Sequence, residues 1–109
     1  IIRTARMYHN DIAVAAVDHT VGRVTAAQAA DELLNISGID ASFVLFPDAD
    51  GERVVISARS MGDTNVQVVL EKLGGGGNAA TAGAQVPSGS VEEVLQRLLR
   101  AIDQYFEED

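Results

Sequence analysis

The stretch Ser42-Phe43-Val44-Leu45-Phe46-Pro47-Asp48-Ala49-Asp50-Gly51-Glu52-Arg53-Val54-Val55-Ile56-Ser57-Ala58 decides how the fold is read. Its two flanks, Ser42 to Phe46 and Arg53 to Ala58, are dominated by aliphatic and aromatic residues that suit a strand. Between them, Pro47 fixes φ, Asp48 and Asp50 can bond their own backbone, and Gly51 accepts a left-handed conformation. Two such runs joined by a short turn predict an antiparallel hairpin.

Helical periodicity appears on both sides of the hairpin. Upstream, Ala26, Ala29, Ala30, Leu33 and Leu34 form a stripe with a 3.6-residue period, and Thr25 with Gln28 has the spacing of a capping box. Gly38 supplies a stop. Further upstream, Ile12 to Val17 is a continuous apolar run that fits a buried strand. Downstream, Val66, Val69, Leu70 and Leu73 mark a second helix over about 65–73, with Thr64 and Gln67 again at capping-box spacing. Lys72 suits its C-terminus, and Gly74 can take the left-handed cap. Thr81 to Val86 reads as a weak strand, and Pro87-Ser88-Gly89 as a turn. Ser90 and Glu93 then open the longest helix, with a stripe at Val91, Val94, Leu95, Leu98, Leu99, Ile102 and Phe106. The acidic end Glu107-Glu108-Asp109 is expected to fray. This order predicts one α/β domain: a single mixed sheet with three to four helices packed on it.

The 109 residues suffice for one such domain, and 47% hydrophobic content supports a core of Val, Ile, Leu and Ala. Residues 1–10, with Arg3 and Arg6, read as the end of a linker entering from an upstream domain, and 11–109 as the domain itself. No apolar run approaches the roughly 20 residues of a membrane helix. Cysteine is absent, which removes disulfides and thiolate metal sites and fits a cytoplasmic setting. A net charge of -8 argues against a broad basic surface for long duplex nucleic acid. A phosphate must be held locally, by one or two cations and oriented amides.

Three features offer such a site. Gly74-Gly75-Gly76-Gly77 carries an entropic cost that a folded domain must justify, by close ligand approach and an amide nest or else by a hinge or helix cap. It is no P-loop, because the glycines follow a helix and no Lys comes after them. Ser57-Ala58-Arg59-Ser60 is placed at the end of a strand, ahead of the second helix. Arg59 offers a planar fork for phosphate, Ser57 and Ser60 offer hydroxyls, and the helix start near Asn65 adds a dipole end. The alternative is a loop in which Arg59 pairs with Asp63. Asn78 can donate and accept, as a ligand contact or as a residue closing the glycine loop. Asp18-His19 reads as a loop pair. No catalytic or metal-ligating set is assembled at a recognisable spacing.

Taken together, these residues resemble a known family. Ala27 to Leu34, Gly38 to Val44, Ile56 to Ser60, Gly62-Asp63, Asn65 to Val68 and Glu71 to Gly77 are similar in register to the DHH-associated domain of bacterial cyclic-di-AMP phosphodiesterases, over roughly residues 11–106. The resemblance implies a substrate-binding module that works with a separate upstream DHH domain, where manganese activates the attacking water. It implies that Arg59, Ser60, Gly75, Gly76 and Gly77 hold a phosphate of a cyclic dinucleotide or short oligonucleotide, and that the parent carries membrane helices. Asn78 stands where the family has His. The competing expectation is a structural or regulatory domain that forms a homodimer and has a degenerate ligand site.

Overall fold

A computed structural model describes residues 5–9, 11–36, 38–88 and 90–107. Residues 1–4 and Asn10 of the expected linker, Gly89 of the expected turn and the terminal Glu108-Asp109 lie outside the described residues. The elements run β1 (Ala5–Tyr8), β2 (Ile12–Ala16), α1 (Arg23–Leu34), β3 (Ala41–Pro47), β4 (Arg53–Ser60), α2 (Val66–Glu71), β5 (Gly76–Gly77), β6 (Thr81–Pro87) and α3 (Val91–Glu107).

The strands form one six-stranded sheet in the order β1-β2-β3-β4-β6-β5. Strands β2 and β3 are parallel and joined through α1; every other pair is antiparallel. The single mixed sheet and the β3–β4 hairpin are as expected. Two strands were not anticipated. Ala5–Tyr8, within the segment read as linker, pairs with β2, and Gly76–Gly77 pairs with β6.

Side-chain alternation divides the core between the two sheet faces. On one face α2 and α3 cover Ile12, Val14, Phe43, Leu45, Val54, Ile56, Ala82, Ala84 and Val86. Leu98 and Ile102 of α3 are almost completely buried there. Each such side chain contributes roughly 1.5–3 kcal/mol by leaving water. On the other face α1 presents Ala26, Ala29, Ala30 and Leu33 to Ala13, Ala15, Val44, Phe46 and Val55. Its alanines let the helix lie close to the sheet. The buried Ser42 hydroxyl donates to the Ala30 carbonyl at 2.7 Å and ties α1 to β3.

Two helix starts differ from the sequence reading. Helix α1 begins at Arg23, after Gly22, with no side-chain cap, so Thr25 lies inside it. In α2 the cap is Asn65, whose side chain accepts from Val68 N, and not Thr64, which is buried. At α3 the Ser90 hydroxyl accepts from Glu93 N at 3.1 Å as expected. The return half of that box runs through Ser88, whose hydroxyl accepts from Ser90 N and lies 3.3 Å from Glu93 Oε1.

Candidate functional site

Helix α1 makes its main contacts with β3 and β4 and not with β6 or β5. The outer strands are therefore bare on that face. Along β6 the residues alternate, with Thr81, Gly83 and Gln85 exposed and Ala82, Ala84 and Val86 buried. A groove of about 520 Å³ opens over this bare sheet. Its polar and uncovered lining comes from Arg23, Ser57, Gly75, Gly76, Gly83 and Gln85, and Ala26, Phe46 and Val55 form an apolar wall.

Strand register aligns the floor. Ser57 pairs with Gly83, and Gly83 pairs with Gly76. Directly opposed residues in an antiparallel sheet point to one face. The row Ser57, Gly83, Gly76 is thus one hydroxymethyl group and two stretches of naked backbone. No described residue bonds the Ser57 hydroxyl.

The four glycines differ in what the fold demands of them. Gly74 has φ +83 at the end of α2, the left-handed cap. A Cβ at Gly75 would overlap the Gly83 carbonyl oxygen and stand 2.6 Å from Ala84 Cβ. Gly77 has φ +145, and its Cβ would overlap the Thr81 carbonyl oxygen. Gly76 has neither a left-handed φ nor any atom within 4 Å of a Cβ. The fold accepts a side chain there, and the groove does not contain one.

Asn78 closes the hairpin between β5 and β6. Its Oδ1 accepts from Ala80 N at 3.0 Å and Thr81 N at 2.9 Å, and its own amide donates to the Thr81 carbonyl at 2.7 Å. Of the two roles considered for Asn78, the structure exhibits the turn-closing one. Ser60 N and Val66 N donate to the carbonyls of Ala80 and Ala79 and pin the same turn.

The Ser-Ala-Arg-Ser segment lies within β4 and not in a loop. Period-2 alternation separates its members. Ser57 and Arg59 share the groove face, while Ser60 is buried on the other, its hydroxyl accepting from Gly62 N at 3.0 Å. Arg59 flanks the groove without lining it. Its Nε contacts Asp31 Oδ1 of α1 at 3.2 Å and its Nη1 donates to the Ala58 carbonyl at 2.8 Å, so its partner is Asp31, not Asp63. Asn65 caps a helix of six residues that packs on the opposite face. The structure therefore gathers Ser57, Gly75 and Gly76 at the groove, with Arg59 beside it. Ser60, Asn65, Gly77 and Asn78 surround the adjoining turn.

Arg23, Gly83 and Gln85 escaped the sequence reading. A glycine within a strand run signals close approach of backbone or ligand, and Gly83 carried that signal. At this end of the groove Arg53 donates from Nε and Nη2 to Asp50 Oδ2, at 3.1 and 2.8 Å. The Glu52 amide and then Arg53 hold the Asp50 carboxyl below its ordinary value, and Asp50 raises Arg53. Asp48 Oδ2 lies 3.2 Å from Arg53 and 3.9 Å from Arg23.

Asp18 and His19 form an exposed contact of 3.3 Å. Among the described residues no group of three His, Cys, Asp or Glu is placed to hold a metal. No described helix is long and apolar enough to cross a membrane.

Residues 9–108 match the DHHA1 domain family. The chain belongs to that family. It is 47% identical over 109 residues to the cyclic-di-AMP phosphodiesterase GdpP of Geobacillus thermodenitrificans, covering 98% of this chain and 16% of that protein. It is 42% identical over 108 residues to the cyclic-di-AMP phosphodiesterase PdeA of Listeria monocytogenes, covering 97% of this chain and again 16% of the relative. This DHHA1 domain thus spans about a sixth of the length of the curated relatives it matches. Its fold is shared with an exopolyphosphatase-related protein from Bacteroides fragilis, at a TM-score of 0.81 and 20% identity, over 95% of this chain and 32% of that one.

Proposed function

We propose that this domain is the substrate-binding half of a phosphodiesterase site and that the groove over β4, β6 and β5 takes the phosphate and sugar of an adenine dinucleotide, cyclic or linear. The observation that carries this reading is Gly76: a glycine the fold does not need, bare in the groove opposite Gly83. Exposed peptide groups let a phosphate approach without a side chain intervening. The Ser57 hydroxyl supplies a neutral donor in the same row, and the Arg59 fork lies on the same face one strand period away. Asn78 in place of a histidine leaves the loop without a cationic donor, and the Gly74, Gly75 and Asn78 amides already donate to the Glu71, Leu70 and Thr81 carbonyls, so Ser57 and Arg59 are the chief donors of this reading.

In this reading bond cleavage belongs to an upstream DHH domain, where manganese activates the attacking water, and membrane helices precede that domain in the parent. The domain itself binds and orients. Calorimetric titration of the chain with cyclic-di-AMP and with its linear dinucleotide tests the proposal. Binding is expected in the wild type and is lost in Gly76→Val, with an unchanged melting temperature. Undiminished binding by Gly76→Val overturns it.

A further inference from the structure

The end of the groove away from Arg59 holds a side chain whose orientation is set by chemistry. Arg53 Nη1 donates to Gln85 Oε1 at 2.8 Å. A guanidinium has donors only, so it must face the oxygen of the carboxamide. Arg53 is itself held by two bonds to Asp50 and a contact to Asp48, so it is a fixed donor. The Arg53 bond takes one of the two lone pairs of Gln85 Oε1 and orients the carboxamide, whose Nε2 has no described partner and is left to donate at this groove-lining residue.

The surroundings select the ligand group. Asp48 and Asp50 stand against the two arginines at this end, Arg23 and Arg53, which offsets the positive field a second phosphate would require. The wall is apolar, from Phe46, Val55 and Ala26, and the floor at Gly83 is bare backbone. A flat, neutral ring fits these walls, and a lone pair on that ring fits the donor.

Resting on the reading of the groove as a nucleotide site, we infer that Gln85 is a specificity-determining residue for the nucleobase. Its Nε2 donates to an acceptor on the base edge, and Arg53 is a positioning residue that keeps the carboxamide from rotating. A freely rotating Gln offers either a donor or an acceptor and reads neither. With Arg53 bound to Oε1, a base that turns an N–H toward Nε2 is disfavoured, because two donors then face each other unpaired.

Titration of the chain with AMP and with ribose 5-phosphate, which lacks the base, tests this. Gln85→Leu is expected to weaken AMP binding about fivefold, the size of one neutral hydrogen bond, and to leave ribose 5-phosphate affinity unchanged. Arg53→Leu is expected to narrow the ratio between AMP and ribose 5-phosphate, and Arg53→Lys, which retains a donor to Oε1, to restore part of it. Melting temperatures of the variants separate these effects from misfolding. Equal loss for both ligands in Gln85→Leu places Gln85 on the phosphate and overturns the inference. So does unchanged AMP binding, which leaves the groove reading intact. Failure of the wild type to bind either ligand overturns both.

Discussion

Gly76 and Gly83 stand directly opposite each other in the β5–β6 pair, so that two strands meet on the groove face with no side chain between them. The neighbouring Gly75 is also backbone-tight, but for a packing reason. The two positions are therefore expected to separate stability from binding. Gly75→Ala forces a methyl into Gly83 and Ala84 and should cost roughly 1–3 kcal/mol, as overpacking does. Gly76→Ala meets no atom and should leave stability within about 0.5 kcal/mol of wild type. Urea denaturation of the two variants, paired with nucleotide titration, checks both halves: the second should melt normally and bind poorly.

Asn78 acts through its oxygen. Removing it in Asn78→Ala leaves Ala80 N without this partner and Thr81 N with only its longer bond to the Asn78 carbonyl, at 3.3 Å, at a cost of about 1 kcal/mol. Asn78→Asp keeps an oxygen in place and should retain most of that stability. It should nonetheless weaken anion binding, because it adds a negative charge beside the groove. Chemical denaturation and phosphate-ligand titration of the pair distinguish the turn from the ligand role.

Asp31 competes for Arg59. The aspartate is largely exposed while the arginine side chain is mostly covered, so the pair is a modest tether. Asp31→Asn should free the guanidinium and strengthen nucleotide binding about two- to fivefold, the range of a weak surface ion pair. Arg59→Ala should abolish detectable binding. If the Asp31 variant binds no better, Arg59 does not swing toward the groove.

The other end of the sheet carries a pH-sensitive contact. Tyr8 donates to both oxygens of Asp103, at 2.8 and 2.9 Å, and His9 Nε2 lies 2.7 Å from Oδ1. The bond with His9, followed by that with Tyr8, holds the Asp103 carboxyl below its ordinary value. A depressed carboxyl contributes stability that is present above its unfolded value, about pH 4, and is lost as pH falls through the folded one. Tyr8 is raised, first by its bond to Asp103, so its contribution is present below about pH 10 and is lost as pH rises through the folded value. Asp103→Asn should flatten the acid limb of a denaturation-midpoint profile, and Tyr8→Phe the alkaline limb. Solvent keeps both effects small, since this cluster lies at the surface.

Much of the fold is legible in the chain because its signals are local. The β3–β4 hairpin follows from two apolar runs flanking Pro47-Asp48-Ala49-Asp50-Gly51, and α3 from a stripe of seven apolar residues. Strand β5 is not legible, since two glycines carry no side-chain period. Strand β1 is obscured because its four residues, Ala5-Arg6-Met7-Tyr8, are too few to show an apolar period. The caps lie three residues from Thr25 and one from Thr64, because Gly22 and Asn65 can also open a helix and tertiary contacts choose among them.

The sequence by itself determined that Ser57, Arg59 and the glycine run belong to one domain, since composition, spacing and turn chemistry are properties of the chain, and their motifs carried the resemblance to the family. Only the tertiary structure decided which of these residues meet. Two residues of extra strand carry β4 through Ser60, and alternation then sends Ser57 into the groove, Arg59 to the same face beside it and Ser60 to the opposite face. Pairing across strands brought in Gly83 and Gln85, which no local pattern links to Ser57, because register is fixed by burial of Val54, Ile56, Ala58, Ala82, Ala84 and Val86 under α2 and α3.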